Sequence, residues 1–299
     1  MRHNKKRRSA KAVPDYKKAS SSGKTVPDVE KGSGSAKEQK RHPGIAAASY
    51  SVIGDRSSQE DAVYVSTEEK TSSTRKNRIL ATVCDGMGGM ANGGLASTTA
   101  VQMLKDAFEH VKEDQSVNIP NFLISGIKAI DKTIHSFPKE AGRGSGTTMV
   151  AVIVEDDKLY WASVGDSRIY ILRGEQLSQV TRDHNYMLRL QEMVDQGQLT
   201  QEEADTNRQR EALISFLGIG NVSLMDVNQD PFVMQYGDII LLTSDGMTRV
   251  LSEEQIKDIL MEESSVEDKA KGLVEAVVAR HSRSQDNTTV AILQYQETI

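Results

Sequence analysis

Between Thr147 and Arg173 three apolar runs, "TTMVAVIVE", "KLYWASV" and "RIYILR", follow one another with turns at Asp156-Asp157 and at Gly165-Asp166. Links this short join antiparallel strands, because a parallel crossover needs a dozen residues or more. The stretch therefore reads as an antiparallel meander. Arg173-Gly174 opens a further hairpin into "QLSQV", and "AVYVS" (62–66) and "RILATVC" (78–84) read as two strands joined by a polar loop. "DIILLTS" (238–244) is a continuous apolar strand, as expected when both faces are covered, and "NTTVAILQY" (287–295) is the last strand.

Helices separate these groups. Val101, Leu104, Phe108 and Val111 form a stripe at helical spacing, and Phe122, Ile127, Ile130 and Ile134 form a second. Ser252 with Gln255 three residues on is a capping box that starts a helix. Residues 266–281 carry Leu273, Val274, Val277 and Val278, and a polar, helix-prone stretch at 184–211 reads as an inserted subdomain. Strands in antiparallel runs with helices in pairs, and no regular βαβ alternation, point to an α+β fold of packed antiparallel sheets.

Charge divides the 299 residues in two. Residues 1–44 hold 13 Lys/Arg against 4 Asp/Glu, and the remainder holds 24 against 38. The first segment is rich in Lys, Ser, Gly and Pro, cannot bury enough apolar surface to offset its ordering entropy, and reads as a disordered basic tail. Its "KKRR" (5–8) is suited to an acidic partner, nucleic acid or anionic lipid, or serves as a solubilising tail. The one cysteine, Cys84, excludes an intrachain disulfide and reads as a buried strand residue in a reducing compartment. No run of about 18 apolar residues occurs, so the expectation is a cytoplasmic protein with no membrane span.

The acids fall at strand ends. If 62–66 and 78–84 form an antiparallel pair, Glu60, Asp61 and Asp85 meet at one edge; pairing 238–244 with 287–295 likewise brings Asp245 beside Asp286. Gathered carboxylates repel and raise one another's pKa unless cations intervene. Hard oxygen ligands suit Mg²⁺ or Mn²⁺, and two such ions roughly 3.5–4 Å apart share a water and lower its pKa, giving a hydroxide suited to attack phosphorus. A rival reading takes Gly86–Ala91 as the dinucleotide fingerprint G-x-G-x-x-A. A pyrophosphate there would face Asp85, and the acid near the required spacing, Asp106, lies mid-helix. The glycines are better explained by a tight turn that exposes the Gly86 carbonyl to a metal.

Seven motifs in order, "RSSQEDA" (56–62), "VCDGMGG" (83–89), "GSGTTMVAVIV" (144–154), "VGDSRIY" (164–170), "TRDH" (181–184), "LLTSDGMT" (241–248) and "DNTTV" (286–290), resemble those of the metal-dependent protein phosphatase 2C family, in its bacterial serine/threonine phosphatase branch. The resemblance covers about 45–297. It implies a four-layer α/β/β/α sandwich for a catalytic domain at 45–299, with a flap at 184–211. It implies two Mg²⁺ or Mn²⁺ ions bridged by Asp85, with Glu60 (directly or through water) and the Gly86 carbonyl completing one site and Asp245 and Asp286 the other. Asp61 would orient metal-bound water, Arg56 would clamp the substrate phosphate, and Asp166 is either a turn residue or a ligand of a third metal.

The activity implied is hydrolysis of phosphoserine and phosphothreonine in proteins by a metal-bridged hydroxide, by a monomer that reverses a bacterial Ser/Thr kinase. A silent phosphoprotein-binding module on the same fold is the alternative, and a regulatory phosphatase of a sigma-factor pathway is a second. The chain departs from the family pattern at Gln59, at Met87 (shared with many bacterial members), at Arg249, where many members have an acid, and at "ALISFLGIG" (212–220). Arg249 cannot ligate a cation, so a third metal is expected to bind poorly or elsewhere.

Overall fold

A computed structural model describes residues 42–66, 78–87, 92–140, 142–280 and 284–298. The expected tail up to residue 41, including "KKRR", lies outside the described residues, as do positions 88–91 of the glycine turn.

The strands are β1 (His42–Val52), β2 (Asp61–Val65), β3 (Arg78–Asp85), β4 (Met149–Glu155), β5 (Lys158–Val164), β6 (Arg168–Arg173), β7 (Gln176–Gln179), β8 (Asp226–Val227), β9 (Phe232–Val233), β10 (Ile239–Thr243) and β11 (Thr288–Thr298). The helices are α1 (Gly93–Val111), α2 (Ile119–His135), α3 (Tyr186–Asp195), α4 (Gln201–Asp205), α5 (Asp245–Thr248), α6 (Glu253–Met261) and α7 (Val266–Val278). One sheet runs β1-β11-β10-β6-β7 and the other β2-β3-β4-β5-β8, with β9 also paired to β5; every pairing is antiparallel.

Side-chain alternation along the strands builds the layers. Leu80, Ala151 and Ile153 face Leu104, Phe108, Leu123 and Ile127 of α1 and α2. Their neighbours Ile79, Ala81, Val152 and Val154 pack with Ile169, Ile171, Ile240 and Leu242 of the other sheet. Ile239, Leu241 and Ile292 turn outward onto Leu260, Leu273 and Val277 of α6 and α7. Two antiparallel sheets face to face with helices on both outer sides give the α+β, α/β/β/α sandwich. The central strands read as unbroken apolar runs because both of their faces are covered. The Ser252 capping box is present at the start of α6. Among the described residues no helix is long and apolar enough to cross a membrane.

The meander reading needs correction. β4 and β5 form the expected hairpin, but β6 pairs with β10 and β7 in the opposite sheet. The chain changes sheets over residues 165–167. Packed sheets lie about 10 Å apart, a gap that three extended residues can span. Gly165 makes the crossing possible: its φ is +105°, and a Cβ there would lie 2.6 Å from Thr148 Cγ2. β1, for which no strand was expected, pairs along its whole length with β11, so residues 42–44, read as the end of the tail, belong to the sheet.

Two locks hold the loops around this crossing. Asp131 of α2, 3% exposed, accepts the backbone N–H groups of Gly218, Gly220 and Val222 and so anchors 217–222 to the helix. His184, fully buried, accepts the Gly165 N–H at Nδ1, which leaves the Nε2 proton directed at Asp226 Oδ2, 3.5 Å away. Arg182 also grips Asp226. Burial alone would raise the Asp226 carboxyl, but His184 and Arg182 outweigh it and hold the group well below the usual carboxylate range. A depressed folded pKa contributes stability that is present above the unfolded value and is lost as pH falls through the folded one. Asp226→Asn is therefore expected to lower stability near pH 6, and the gap to wild type is expected to narrow at pH 3, in urea titrations at the two pH values. A gap that widens on acidification would contradict the assignment.

Candidate metal centre

The register places the acids together. Asp61 and Asp85 are direct cross-strand partners in β2 and β3. Like charges opposite each other destabilise a sheet, so this pairing carries a cost that the fold alone does not require. Asp245 follows the end of β10 and opens α5, and Asp286 precedes β11, which pairs with β10. Both therefore arrive at the same end of the sandwich as the first pair. Arg56, Glu60, Asp85, Gly86, Met87, Asp166, Asp245, Arg249 and Asp286 line one cavity of about 300 Å³ there.

Local bonds fix the backbone beneath these side chains. The Asp85 carbonyl accepts from Thr148 N (2.9 Å) and Thr147 Oγ1 (2.8 Å), and its amide donates to Thr148 Oγ1 (3.0 Å). Gly86 N donates to Glu60 O, and a Cβ on Gly86 would lie 2.4 Å from Gly93 O, so only glycine permits this approach. Asn287 holds the loop that carries Arg56 and Glu60: its Oδ1 accepts from Glu60 N (2.7 Å), and its Nδ2 donates to Ile53 O and Ser58 O. Ser244 Oγ donates to Asp61 Oδ2 at 2.8 Å. Asn287, Ser244 and Thr148 were not singled out from the sequence, although each stands in or beside one of the seven motifs.

The electrostatics show what the cluster lacks. Burial first, then the charges of Asp61, Asp245, Asp166 and Asp286, raise the Asp85 carboxyl well above its ordinary value. Burial pushes Asp61 up to about 7 against the pull of the Ser244 hydroxyl. Burial, with Asp245 and Asp183, takes Asp166 to about 7. Asp245 is raised by burial although Arg249 works against it. Asp61 Oδ1 is buried without a hydrogen-bond partner. Two arginines answer part of this charge: Arg56 Nη2 lies 2.7 Å from Asp286 Oδ2, and Arg249 Nη2 lies 2.6 Å from Asp245 Oδ2. Among the described residues, no three Asp, Glu, His or Cys side chains are already drawn into a closed group that would hold an ion. The donor set nonetheless fits hard divalent cations: carboxylate oxygens in excess of positive charge, one of them buried and unpartnered. Cys84 takes no part, since it is buried and its thiol is pushed up to about 12.

The stretch read as a subdomain forms α3 and α4, zipped at its base by Tyr186 N to Ala212 O and Met187 N to Arg210 O. Glu211 and Leu213, at and just beyond its end, line the cavity.

A profile of the family "Protein phosphatase 2C" matches residues 48–190. The protein phosphatase PhpP of Streptococcus pneumoniae is 32% identical over 224 residues, which span 75% of this chain and 88% of that protein. Among solved structures, the serine/threonine phosphatase of S. agalactiae superposes with a TM-score of 0.70 at 28% identity, covering 84% of this chain and 99% of that one. The catalytic domain of the serine/threonine protein phosphatase PstP, described in complex with 2 manganese ions, superposes with a TM-score of 0.64 at 28% identity over 85% and 99% of the two chains. With its two-sheet architecture and its acids gathered at one end, this chain belongs to the protein phosphatase 2C family.

Proposed function

We propose that the protein hydrolyses phosphoserine and phosphothreonine in other proteins with the help of two Mg²⁺ or Mn²⁺ ions. The observation that carries this reading is the meeting of Glu60, Asp85, Asp166, Asp245 and Asp286 in one cavity, with Asp61 paired in register to Asp85, without enough positive charge to balance them. Asp85, which faces Asp61 across the strands and feels the charges of Asp245, Asp166 and Asp286, would serve both ions. Glu60 and the Gly86 carbonyl would complete one site, and Asp245 and Asp286 the other. When bound, such ions lower the pKa of water towards neutrality and offset charge on phosphoryl oxygens.

The chain's own residues supply the rest. Asp61, held by the Ser244 hydroxyl and facing Asp85 across the strands, would orient water at the ion that Asp85 serves. Arg56, half exposed at the rim, offers two parallel donors to a phosphate once it leaves Asp286. Met87 lines the cavity and has no proton to give, so the leaving serine or threonine oxygen takes its proton from solvent. The natural substrates under this reading are the products of a Ser/Thr kinase, met by a cytoplasmic monomer, and the basic segment that precedes β1 offers its charge to an acidic partner.

Release of inorganic phosphate from a phosphothreonine peptide tests the proposal: it is expected with Mn²⁺ and not with chelator. Binding of the peptide without turnover under both conditions would support a silent phosphoprotein-binding module instead. Arg56→Ala is expected to raise KM for the peptide more than it lowers kcat, with kcat/KM down about tenfold, or ~1.4 kcal/mol. An unchanged kcat/KM in steady-state assays would remove Arg56 from the site.

A further inference from the structure

Arg249 stands one helical turn after Asp245, at the C-terminal end of α5, and its backbone N–H also donates to the Asp245 carbonyl at 3.0 Å. The short helix thus fixes both ends of the 2.6 Å ion pair. Arg249 lines two adjoining cavities, the one that holds the acid cluster and a second of about 440 Å³ that runs past Asp166 and Thr248 to Arg168 and Asp183. After Asp245, the acids that act on it most strongly are Asp166, Glu211 and Asp286.

We propose that Arg249 is a built-in counter-ion of Asp245 that a divalent cation must displace, so that this residue sets how tightly the acid cluster binds metal. The inference rests on the reading of Asp245 as a cation ligand. A guanidinium bonded to Oδ2 occupies the oxygen that a divalent ion would approach to about 2.0–2.2 Å, and the two positive charges repel. Binding at Oδ2 of Asp245 therefore releases the guanidinium. Its side chain is 52% exposed, so it can move without unpacking the core. Once released it still faces Asp166 and Glu211, the acids at the edge of the cleft beside 184–211. Metal binding then becomes coupled to a new charge contact at that edge. Asp286 is held in the same manner by Arg56, but Arg56 has a second use in binding phosphate, whereas no other role claims Arg249.

The test is Mn²⁺ binding by titration calorimetry on the full chain, with thermal unfolding measured in chelator and in saturating Mn²⁺. Arg249→Ala is expected to bind Mn²⁺ about fivefold tighter or more, and to gain more in Tm from Mn²⁺ than wild type gains. In chelator it is expected to melt no higher than wild type, because Asp245 has lost its partner. Arg249→Gln, which keeps the length of the side chain, should show the same direction and covers the case in which alanine costs the fold. Lys271→Ala, which removes an exposed pair of the same spacing with Glu275 on α7, should leave Mn²⁺ affinity unchanged. Equal affinity within twofold, or weaker binding, in both Arg249 variants would overturn the inference while leaving the metal assignment in place. A wild-type chain that binds no Mn²⁺ would overturn both.

Discussion

Asp85→Asn is expected to reduce phosphate release from a phosphothreonine peptide by about a thousandfold or more, equivalent to ~4 kcal/mol of barrier. Asp85 lies opposite Asp61 in the β2–β3 register and beside Asp245, Asp166 and Asp286, so it is the residue best placed to serve two ions. Asparagine keeps the shape and removes the charge. The same change relieves repulsion among buried carboxylates. The variant should therefore unfold at an equal or higher temperature than wild type in chelator, and gain less from added Mn²⁺. Loss of activity accompanied by loss of the fold would mean that Asp85 is structural. Retention of more than about a tenth of the wild-type rate would remove it from the chemistry.

The second large effect is on stability. Arg78 and Glu155 are register partners at the ends of β3 and β4, with side chains 3% and 8% exposed. Arg78 Nε and Nη2 both reach Glu155 Oε1, at 2.9 and 2.6 Å, while Nη1 donates to the carbonyls of Val111, the last residue of α1, and of Asp114 just after it. One guanidinium thus joins the sheet to the helix layer. Removing one member of a buried, hydrogen-bonded ion pair costs about 3–5 kcal/mol, whereas replacing both by apolar groups is often close to neutral. Arg78→Ala is accordingly expected to lose about that much in urea unfolding, and the double variant Arg78→Met with Glu155→Leu to recover most of it. A single-variant loss below about 1 kcal/mol, or a double variant worse than the single, would contradict this role.

Much of the site was legible because it depends on strand ends. Acids that close apolar runs must meet when those runs pair, and the observed pairings of β2 with β3 and β10 with β11 are the ones the run boundaries suggested. The capping box at Ser252 and the helical stripes were equally local, hence readable. What the sequence hid is tertiary. β1 is alanine-rich and carries little strand propensity, and its register is set by β11, some 240 positions away. The change of sheet at Gly165 looks, in sequence, the same as a hairpin turn; only the packing against Thr148 distinguishes them. The arginine partners of Asp245 and Asp286 were not foreseen, because whether Arg56 faces a substrate or an acid 230 residues away depends on the closed loop that Asn287 holds.

The most direct test of the central claim is the number of Mn²⁺ ions held per folded chain, counted by native mass spectrometry on wild type and on Asp85→Asn. Wild type is expected to hold two, and the variant one or none. A wild-type chain that binds no Mn²⁺, or an Asp85→Asn chain that still holds two, would contradict the account.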